Sequence, residues 1–336
     1  MNKEKIEGKR LLVTGAGGFI GGFIAAEGLR RGMDVTVAIR ATTSRRYLTD
    51  SRLHFLVLDY DNRASMEEAI KGEQPWDYII YNLGATKAVN YLDFKRINYE
   101  YLRTFCEVLK ATDHVPERLL YMSSLSALGA GDEKGYSPIT NDMRPHPDTR
   151  YGQSKIMAEQ YLEHFAGIPY IIFRPTGVYG PHEKDYLMMV KSIDHHFDFG
   201  VGYRKQMLTF IYVDDLVEAM FDALASGVKN KKYIISEDRA YTQKEFRDIV
   251  AQELGGKWVI PIKVPIWGLW VVSAVAEKIG KMRLKTSTLN LDKFKIMRQR
   301  NWTADISDAV ADFGFAPKVE LREGIRRTVE AYRRNE

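Results

Sequence analysis

The chain has 336 residues, of which 45% are apolar and 28% charged, a composition typical of a globular protein and unlike that of a disordered or fibrous one. Its net charge is +5, and its single cysteine, Cys106, excludes an intrachain disulfide and indicates a reducing compartment. The densest basic run, near the C-terminus, alternates with glutamates. That pattern is typical of a solvated helix face, so nucleic acid is not an expected partner.

Strand-like and helix-like segments alternate along the first half of the chain. The predicted strands are Lys9–Thr14, Asp34–Ile39, Leu53–Leu58, Asp77–Asn82, Arg118–Met122 and Pro169–Phe173. The predicted helices are Phe19–Arg31, Ser65–Gly72, Tyr99–Ala111 and Tyr151–Phe165. This alternation predicts an α/β fold with a Rossmann-type, doubly wound parallel sheet that helices cover on both faces.

The pattern is less regular after Arg174, and no linker or internal repeat separates the two parts. We predict a strand at Lys232–Ser236 and helices at Val213–Ala225, Thr242–Leu254 and Leu321–Tyr332. We expect residues 1–175, completed by parts of 208–236, to form a dinucleotide-binding domain. Residues 176–207 and 237–336 would then form a smaller α/β substrate lobe.

The longest apolar stretch is Val264–Ala276, which contains a proline and a glycine. It is shorter than the roughly 20 residues that a spanning helix needs, and the polar N-terminus carries no signal peptide. We therefore expect a cytoplasmic protein without a membrane-spanning segment. The apolar stretch itself fits core, a wall of the substrate lobe or a contact with a membrane surface.

Glycines at 15, 18 and 21 lie between the first predicted strand and the first predicted helix. Such a turn lets a diphosphate approach closer than a Cβ would allow, and the helix N-terminus offers unpaired N–H groups to it. The alternative is a glycine-rich turn without a ligand, but the position between strand and helix favours a dinucleotide site.

The end of the second predicted strand bears on which dinucleotide binds. An acidic residue there would bond the adenosine ribose and favour NAD, whereas here the strand ends at Arg40. Because a guanidinium suits a 2′-phosphate, we expect NADP, with NAD as the alternative. Asp59, which ends the third predicted strand, is placed to meet the adenine edge.

Tyr151 and Lys155 are four residues apart in a predicted helix and therefore share one face. An ammonium beside a phenol lowers the pKa of the phenol from about 10, so that it can exchange a proton with a substrate near neutral pH. Ser124, at the end of the fifth predicted strand, can hold the reacting oxygen, and Ser123 is the alternative. A second pair with the same spacing, Tyr91 and Lys95, lies in a predicted polar loop and is not expected to be catalytic.

These residues resemble the extended short-chain dehydrogenase/reductase superfamily, within the NAD-dependent epimerase/dehydratase family. The resemblance extends over nearly the whole chain and rests on TGAGGFIG at 14–21, NLGAT at 82–86, MSSLSALG at 122–129, YGQSK at 151–155, RPTGVYGP at 174–181, FIYVDDLVEA at 210–219, NWTADISDAV at 301–310 and FGFAP at 313–317. It implies a Ser124/Tyr151/Lys155 triad and a homodimer formed by the helices that start near Asn98 and Tyr151. Tyr101 departs from the small residue that the family usually has in the first of these helices.

The family motifs, carried over residue by residue, and the residues at the strand ends predict two sets of contacts. The cofactor contacts are Gly15, Gly18, Phe19, Ile20, Gly21, Arg40, Asp59, Tyr60, Leu83, Gly84, Ala85, Asn98, Tyr151, Lys155, Pro175, Gly177 and Val178. The substrate contacts are Thr86, Ser126, Tyr179, His182 and Leu208. No metal site is expected, since the adjacent pair His195 and His196 cannot share a helix face.

Two departures from the resemblance bear on the substrate. Family members that act on nucleotide sugars commonly have an arginine at the position of Leu208 and an asparagine at that of Gly177. Losing a guanidinium forfeits charge-assisted hydrogen bonds to a diphosphate, although Arg204 and Lys205 offer nearby cations.

The chain is more similar to the dihydroflavonol reductase and 3-beta-hydroxysteroid dehydrogenase branch. We expect an NADP-dependent oxidoreductase with a small apolar cyclic substrate. A nucleotide-sugar epimerase or dehydratase and a non-catalytic cofactor sensor are the alternatives.

Overall fold

The protein is described by a computed structural model that covers residues 4–283 and 289–334. The strands are β1 Arg10–Thr14, β2 Asp34–Ile39, β3 His54–Val57, β4 Tyr78–Tyr81, β5 Arg118–Met122, β6 Tyr170–Pro175, β7 Gly177–Tyr179, β8 Phe197–Val201, β9 Met207–Leu208, β10 Phe210–Tyr212, β11 Lys231–Ile235, β12 Tyr241–Thr242 and β13 Ile260–Val264.

The helices follow the strands in alternation through the first two thirds of the chain. They are α1 Phe19–Arg30, α2 Arg63–Lys71, α3 Tyr91–Lys95, α4 Tyr101–Ala111, α5 Arg150–His164, α6 Lys184–Asp194, α7 Val213–Ala225, α8 Gln243–Glu253, α9 Ile266–Met282, α10 Leu291–Arg298, α11 Ser307–Phe313 and α12 Leu321–Arg333. A π-helical turn, Arg96–Glu100, joins α3 to α4, and a 3₁₀ turn, Leu125–Ala127, follows β5.

A seven-stranded parallel sheet in the order β11-β6-β5-β4-β1-β2-β3 forms the centre of the molecule. This is the predicted Rossmann-type, doubly wound α/β fold, in which the chain order reverses between β1 and β4. The strand predicted from Lys232 forms the sheet edge as β11. Two-stranded pairings of β10 with β7, β12 with β9 and β13 with β8 lie outside this sheet.

The core follows the two-residue period of the sheet. On β1, Leu11 and Val13 face one apolar cluster, which includes residues of α1 and α7, whereas Leu12 faces a second cluster with residues of α2, α4 and α5. Alternate residues of β4 and β5 divide between the same two clusters. Strands buried on both faces read as continuous apolar runs, which is why the sequence identified them.

The helix predicted to begin at Tyr99 begins eight residues earlier, so the prediction that Tyr91 lies in a loop is wrong. Asn90 caps this helix, because its side chain accepts a hydrogen bond from the Asp93 N–H at 2.9 Å. The π turn then inserts between α3 and α4 and shifts the phase of the side chains that follow it.

The apolar stretch Val264–Ala276 divides at Pro265 into the end of β13 and most of α9. Its interpretation as core is wrong: Trp267 is 74% exposed and Trp270 51%. Among the residues described, no helix is long and apolar enough to cross a membrane. The basic run near the C-terminus is a solvated face of α12, where Arg326 pairs with Glu323 and Glu330.

Candidate active site

The glycine-rich turn between β1 and α1 is a tight cradle. Gly15 has φ +68°, and a Cβ there would lie 2.7 Å from the Asn82 carbonyl oxygen. A Cβ on Gly21 would lie 2.3 Å from the Gly15 carbonyl oxygen. Gly18 stands at the N-cap of α1 without a capping side chain, so the first N–H groups of α1, those of Phe19 and Ile20 among them, are open to an anion. The turn therefore fits a dinucleotide diphosphate.

A loop after β2 lies against this cradle. The Thr43 methyl group is so close to Gly17 that a Cβ on Gly17 would lie 2.3 Å from it. Arg45 rests over the Phe55 ring at 4.2 Å, and Arg46 rests over the Tyr47 ring at 5.5 Å. Arg40 is exposed, and within residues 4–283 and 289–334 its guanidinium forms no ion pair with a carboxylate. Arg45 and Arg46 are exposed as well, so what distinguishes Arg40 is its position directly at the end of β2.

Asp59 follows β3 as predicted and is exposed. Next to it, the buried Tyr60 ring packs on Tyr101 at 5.5 Å, and the Tyr101 hydroxyl donates to Asp61 at 2.7 Å. Tyr101 therefore points inward, toward the expected adenine end of the groove, rather than altering an outer face of α4. Sequence reasoning missed this contact because it depends on the phase shift at the π turn.

Asn98, in the π turn, holds the loop after β4. Its Oδ1 accepts from the Ala85 N–H at 2.7 Å, and its Nδ2 donates to the Ala85 carbonyl oxygen at 3.0 Å and the Ser154 hydroxyl at 2.8 Å. Because Asn98 is fully buried, it positions the loop instead of contacting a cofactor directly, which corrects the prediction for this residue. Leu83, Gly84, Ala85 and the exposed Thr86 form the loop itself.

Tyr151, Lys155 and Ser124 lie together at the carboxyl ends of β4 and β5. Tyr151 stands in the first turn of α5, and the Lys155 Nζ lies 5.9 Å from the centre of its ring. Lys155 donates to the Met122 carbonyl oxygen at 2.6 Å, and the Ser124 hydroxyl contacts the Tyr151 hydroxyl. Ser124 also caps the 3₁₀ turn by accepting from the Ser126 N–H at 3.2 Å. The arrangement fits proton exchange at one ligand oxygen.

The pKa values of the pair differ from the expectation. Burial raises the pKa of Tyr151 to about 12, and the Ser124 hydroxyl offsets only part of that rise. Burial also lowers the pKa of Lys155 to about 7, against an opposing effect of Glu159. Lys155 is not among the groups that shift the pKa of Tyr151 in the cofactor-free protein, so its lowering of that pKa stays a prediction.

The two competing candidates are engaged elsewhere. Ser123 is buried and donates to the Glu159 carboxylate, so Ser124 is the serine that faces Tyr151. Tyr91 donates to the Met157 sulfur at 3.4 Å, and Lys95 pairs with Glu100 at 3.2 Å. The second tyrosine–lysine pair thus lacks both the hydroxyl partner and the free ammonium.

The predicted substrate residues fall into two groups. Tyr179 is 1% exposed within a cluster of aromatic rings and therefore belongs to the core, which corrects its assignment to the substrate. Leu208 is half-buried against the same core, and Ser126 is half-buried next to the triad. His182, with φ 73°, lies over the Tyr47 ring at 4.3 Å and so borders the loop that follows β2.

The Tyr186 side chain comes close to Gly177, the position at which the family commonly has an asparagine. A Cβ on Gly177 would lie 2.0 Å from the Tyr186 hydroxyl oxygen, so an asparagine there would require the Tyr186 side chain to move. Pro175 is buried at the end of β6, and Val178 is half-buried where β7 pairs with β10. Arg204 and Lys205, the possible replacement cations, contact the loop at 133–136: Arg204 donates to the Glu133 carbonyl oxygen at 3.4 Å, and Lys205 lies 5.7 Å from the Tyr136 ring centre.

Two carboxylates from the C-terminal part of the chain hold the first turn of α5. Arg150 donates to Glu277 of α9 at 3.1 and 3.2 Å, and the Tyr151 N–H donates to Asp292 of α10 at 3.3 Å. Both carboxylates are buried. They are separated from Tyr151 by more than 100 residues of sequence, so no local signal could have identified them.

An ionic cluster joins the loop after β4 to two later helices. Asp185 of α6 bonds the Lys87 ammonium at 2.6 Å and the Lys293 ammonium of α10 at 3.0 Å.

In the part of the chain that the structure describes, no three His, Cys, Asp or Glu side chains converge on a metal-sized site. The adjacent histidines are surface residues: His195 is exposed and His196 stacks on Trp258 at 4.2 Å.

A profile of the NAD dependent epimerase/dehydratase family matches residues 11–236, and the chain belongs to this family. It is 26% identical to protein CapI of Staphylococcus aureus over 96% of this chain and 98% of that protein. Its fold is similar to that of UDP-glucose 4-epimerase of Thermotoga maritima, solved with UDP-glucose (TM-score 0.78, 21% identity, 97% of this chain and 99% of the other). It is also similar to the UDP-glucose 4-epimerase of Thermus thermophilus in complex with NAD (TM-score 0.76, 20% identity, 96% and 99%).

Proposed function

We propose that the protein is an NADP-dependent oxidoreductase that interconverts a carbonyl and a hydroxyl group on a small apolar cyclic substrate. The observation that carries this proposal is the meeting of Tyr151, Lys155 and Ser124 beside an uncapped glycine-rich turn. A cofactor of this class, when bound, gives a hydride to the carbonyl carbon or accepts one from the carbinol carbon. The protein must then supply or remove one proton at the oxygen.

Tyr151 supplies or accepts this proton. Its hydroxyl donates to the carbonyl oxygen as the carbinol forms, and the reverse reaction returns the proton to the phenolate. Ser124 holds the same oxygen by a hydrogen bond. A pKa of Tyr151 near 12 keeps the hydroxyl protonated at neutral pH, which suits its use as the acid in reduction. Reprotonation of Tyr151 is the role we assign to Lys155, whose pKa of about 7 lets it release a proton readily.

The choice of NADP rests on Arg40. Its guanidinium is exposed at the end of β2 and has no carboxylate partner in the described parts of the chain, whereas Arg45 and Arg46 lie over aromatic rings. A planar guanidinium in this position suits the 2′-phosphate. Solved relatives are described with NAD, and NAD is therefore the alternative cofactor.

The apolar substrate class rests on two positions. Leu208 cannot donate hydrogen bonds to a diphosphate, and burying a phosphate without donors is costly. Tyr186 fills the space beside Gly177 that an asparagine side chain would need. Each square ångström of an apolar ring removed from water there would contribute about 25 cal/mol to binding.

A nucleotide-sugar epimerase or dehydratase is the second candidate. The family and the structural similarity to an enzyme solved with UDP-glucose favour it. The same three side chains would serve such a reaction, with hydride returned to the substrate within one catalytic cycle. Retention of the cofactor through purification is the property that separates the two candidates.

We further propose the division into a dinucleotide-binding domain of residues 1–175 with parts of 208–236, and a substrate lobe of residues 176–207 and 237–336. The strand β11 and the helix α7 support it, because they pack on β6 and α1.

We also propose a homodimer through α4 and α5. Sedimentation velocity tests the dimer directly.

The decisive experiment combines two measurements on the purified protein. Mass spectrometry of the nucleotide it retains is followed by a substrate panel of steroids, flavonoid-like ketones and UDP- or GDP-sugars, monitored by NADPH absorbance. We expect exchangeable NADPH and turnover of an apolar ketone, with a turnover about 10²-fold or more lower in the Tyr151→Phe variant. The opposite outcome would be tightly held NAD⁺, micromolar binding of a nucleotide sugar and no turnover of any ketone. It would refute this proposal in favour of the nucleotide-sugar epimerase or dehydratase.

A further inference from the structure

The helix α9 has an inverted distribution of polar and apolar residues. Its inward stripe contains Leu269, Ser273 and Glu277, each four residues apart and all buried. Its outward surface carries exposed apolar side chains at Trp267, Trp270, Val271, Val272, Val275 and Met282. A helix on the surface of a globular protein normally presents the opposite arrangement, with its polar face outward. Exposed apolar residues of this number on one helix mark an interaction surface.

A second exposed apolar surface adjoins α9 in the chain. The strands β8 and β13 pair in parallel, with Phe197 opposite Ile260 and Phe199 opposite Ile262. Phe197, Phe199 and Ile260 are exposed on this pair, and β13 continues through Pro265 directly into α9. The apolar character is thus a property of the whole 258–282 region rather than of one isolated side chain.

The charge of this region is one-sided. Residues 257–283 contain five lysines and arginines and a single acidic residue, Glu277, and one of the five, Lys257, pairs with Asp194 at 2.7 Å. Glu277 is buried and faces Arg150 and the Leu291 N–H, so the outward surface of α9 has no carboxylate. Lys278 and Arg283, near the C-terminal end of the helix, are exposed. A partner for this surface should therefore combine an apolar interior with negative charge at its edge.

We propose that α9 is a membrane-docking helix that lies in the plane of a bilayer with anionic headgroups. Its apolar side chains would enter the boundary between headgroups and acyl chains, where Trp267 and Trp270 are suited by their amphipathic rings. The exposed cations would contact anionic phosphates. At 17 residues the helix is too short to span the bilayer, so it lies on the surface.

A second copy of this chain fits the surface less well. A symmetric pairing of α9 helices would bring two basic surfaces together without an exposed carboxylate on either helix to offset their charge. The docking proposal does not depend on the substrate or on the redox activity, because it concerns a surface outside the Tyr151 site.

The test uses the full-length protein and vesicles of phosphatidylcholine, with or without about one third phosphatidylglycerol. Flotation should recover the protein with the anionic vesicles at least ~10-fold more than with the neutral ones, and high salt should reduce this binding. Brominated phosphatidylcholine in the anionic vesicles should quench tryptophan fluorescence, a readout that needs no variant.

Two variants locate the contact. The Trp267→Ser/Trp270→Ser double variant should lower the vesicle partition coefficient by at least ~10-fold. Val275→Glu should lower it as well, whereas Val310→Glu should not. Val275 and Val310 are matched helical valines, 53% and 47% exposed, and Val310 lies on α11. Thermal unfolding followed by circular dichroism checks that each variant is folded.

Two results would overturn the proposal. One is wild-type protein that neither floats with anionic vesicles nor is quenched by brominated lipid. The other is a wild-type dimer that the α9 variants convert to a monomer while vesicle binding is absent, which would assign the surface to a second copy of the chain.

Discussion

Arg174 and Glu159 form an ion pair in which both side chains are almost completely buried and the closest nitrogen and oxygen lie 2.6 Å apart. The pair joins β6 to α5, and the Ser123 hydroxyl donates to the same carboxylate. Arg174 also donates to the Asn141 carbonyl oxygen at 3.2 Å. The Glu159 carboxylate thus accepts hydrogen bonds from Arg174 and Ser123, one helical turn of α5 after Lys155.

Removing one partner of this pair should destabilise the protein strongly. Glu159→Ala leaves the Arg174 charge buried without its counter-ion, and we expect a loss of about 3–5 kcal/mol in the free energy of unfolding. Glu107→Ala, which removes an exposed pair with Arg63, is the control and should cost no more than about 1 kcal/mol. Urea denaturation measures both, and equal losses would contradict the assignment.

Turnover should depend on Tyr151 and not on Tyr91. Tyr151→Phe keeps the ring but removes the transferable proton, so kcat should fall about 10²-fold or more. Tyr91→Phe removes only a hydrogen bond to the Met157 sulfur and should leave kcat nearly unchanged. Steady-state kinetics with NADPH decides the point, and similar losses in both variants would mean that the active site lies elsewhere.

Cofactor preference should follow Arg40. Arg40→Asp replaces the guanidinium by a carboxylate, which repels a 2′-phosphate and can accept from a ribose hydroxyl. Each charge-assisted hydrogen bond lost corresponds to about 1.5–3 kcal/mol, so NADPH affinity should fall at least ~10-fold while NADH affinity rises. Fluorescence titration of both cofactors, with Arg46→Asp as the control, measures the ratio. An unchanged ratio in Arg40→Asp would refute the role of Arg40.

Lys155 should make the stability of the cofactor-free protein depend on pH. Its pKa falls from 10.5 to about 7 on folding, so between these values the unfolded chain binds one more proton than the folded one. Stability should therefore rise with pH across this window, by up to about 1.4 kcal/mol per pH unit from this group. Lys155→Met should remove that slope in denaturation curves recorded from pH 7.5 to about 9.5. Parallel slopes for the variant and the wild type would show that Lys155 remains charged when folded.

The sequence predicted the parts of the site that local patterns encode. The strand ends at Thr14, Ile39 and Met122 were visible because buried parallel strands are continuous apolar runs that stop at polar or small residues. These ends locate the glycine turn, Arg40 and Ser124. The bounds of α7 were predicted without error, since its apolar period is strong.

What the sequence did not predict depends on tertiary contacts. Tyr179 lies in a motif next to the site, yet its ring turns into the aromatic core. The exposure of α9 contradicts the ordinary rule that a long apolar run is buried, because the helix has too few neighbours to cover it. The pKa of Lys155 depends on burial by segments far apart in sequence, and no spacing rule contains that information.

The first turn of α5 is a junction of three parts of the molecule. Arg150 and the Tyr151 N–H reach Glu277 and Asp292, while the Tyr151 side chain meets Ser124. If α9 and α10 move relative to α5, either the hydrogen bonds from Arg150 and the Tyr151 N–H to Glu277 and Asp292 break, or the first turn of α5 moves with them and shifts Tyr151 away from Ser124. The positions of α9 and α10 are thus linked to that of the Tyr151 hydroxyl through the first turn of α5, and we expect a ligand that displaces α9 to slow proton transfer without contacting the reacting atoms.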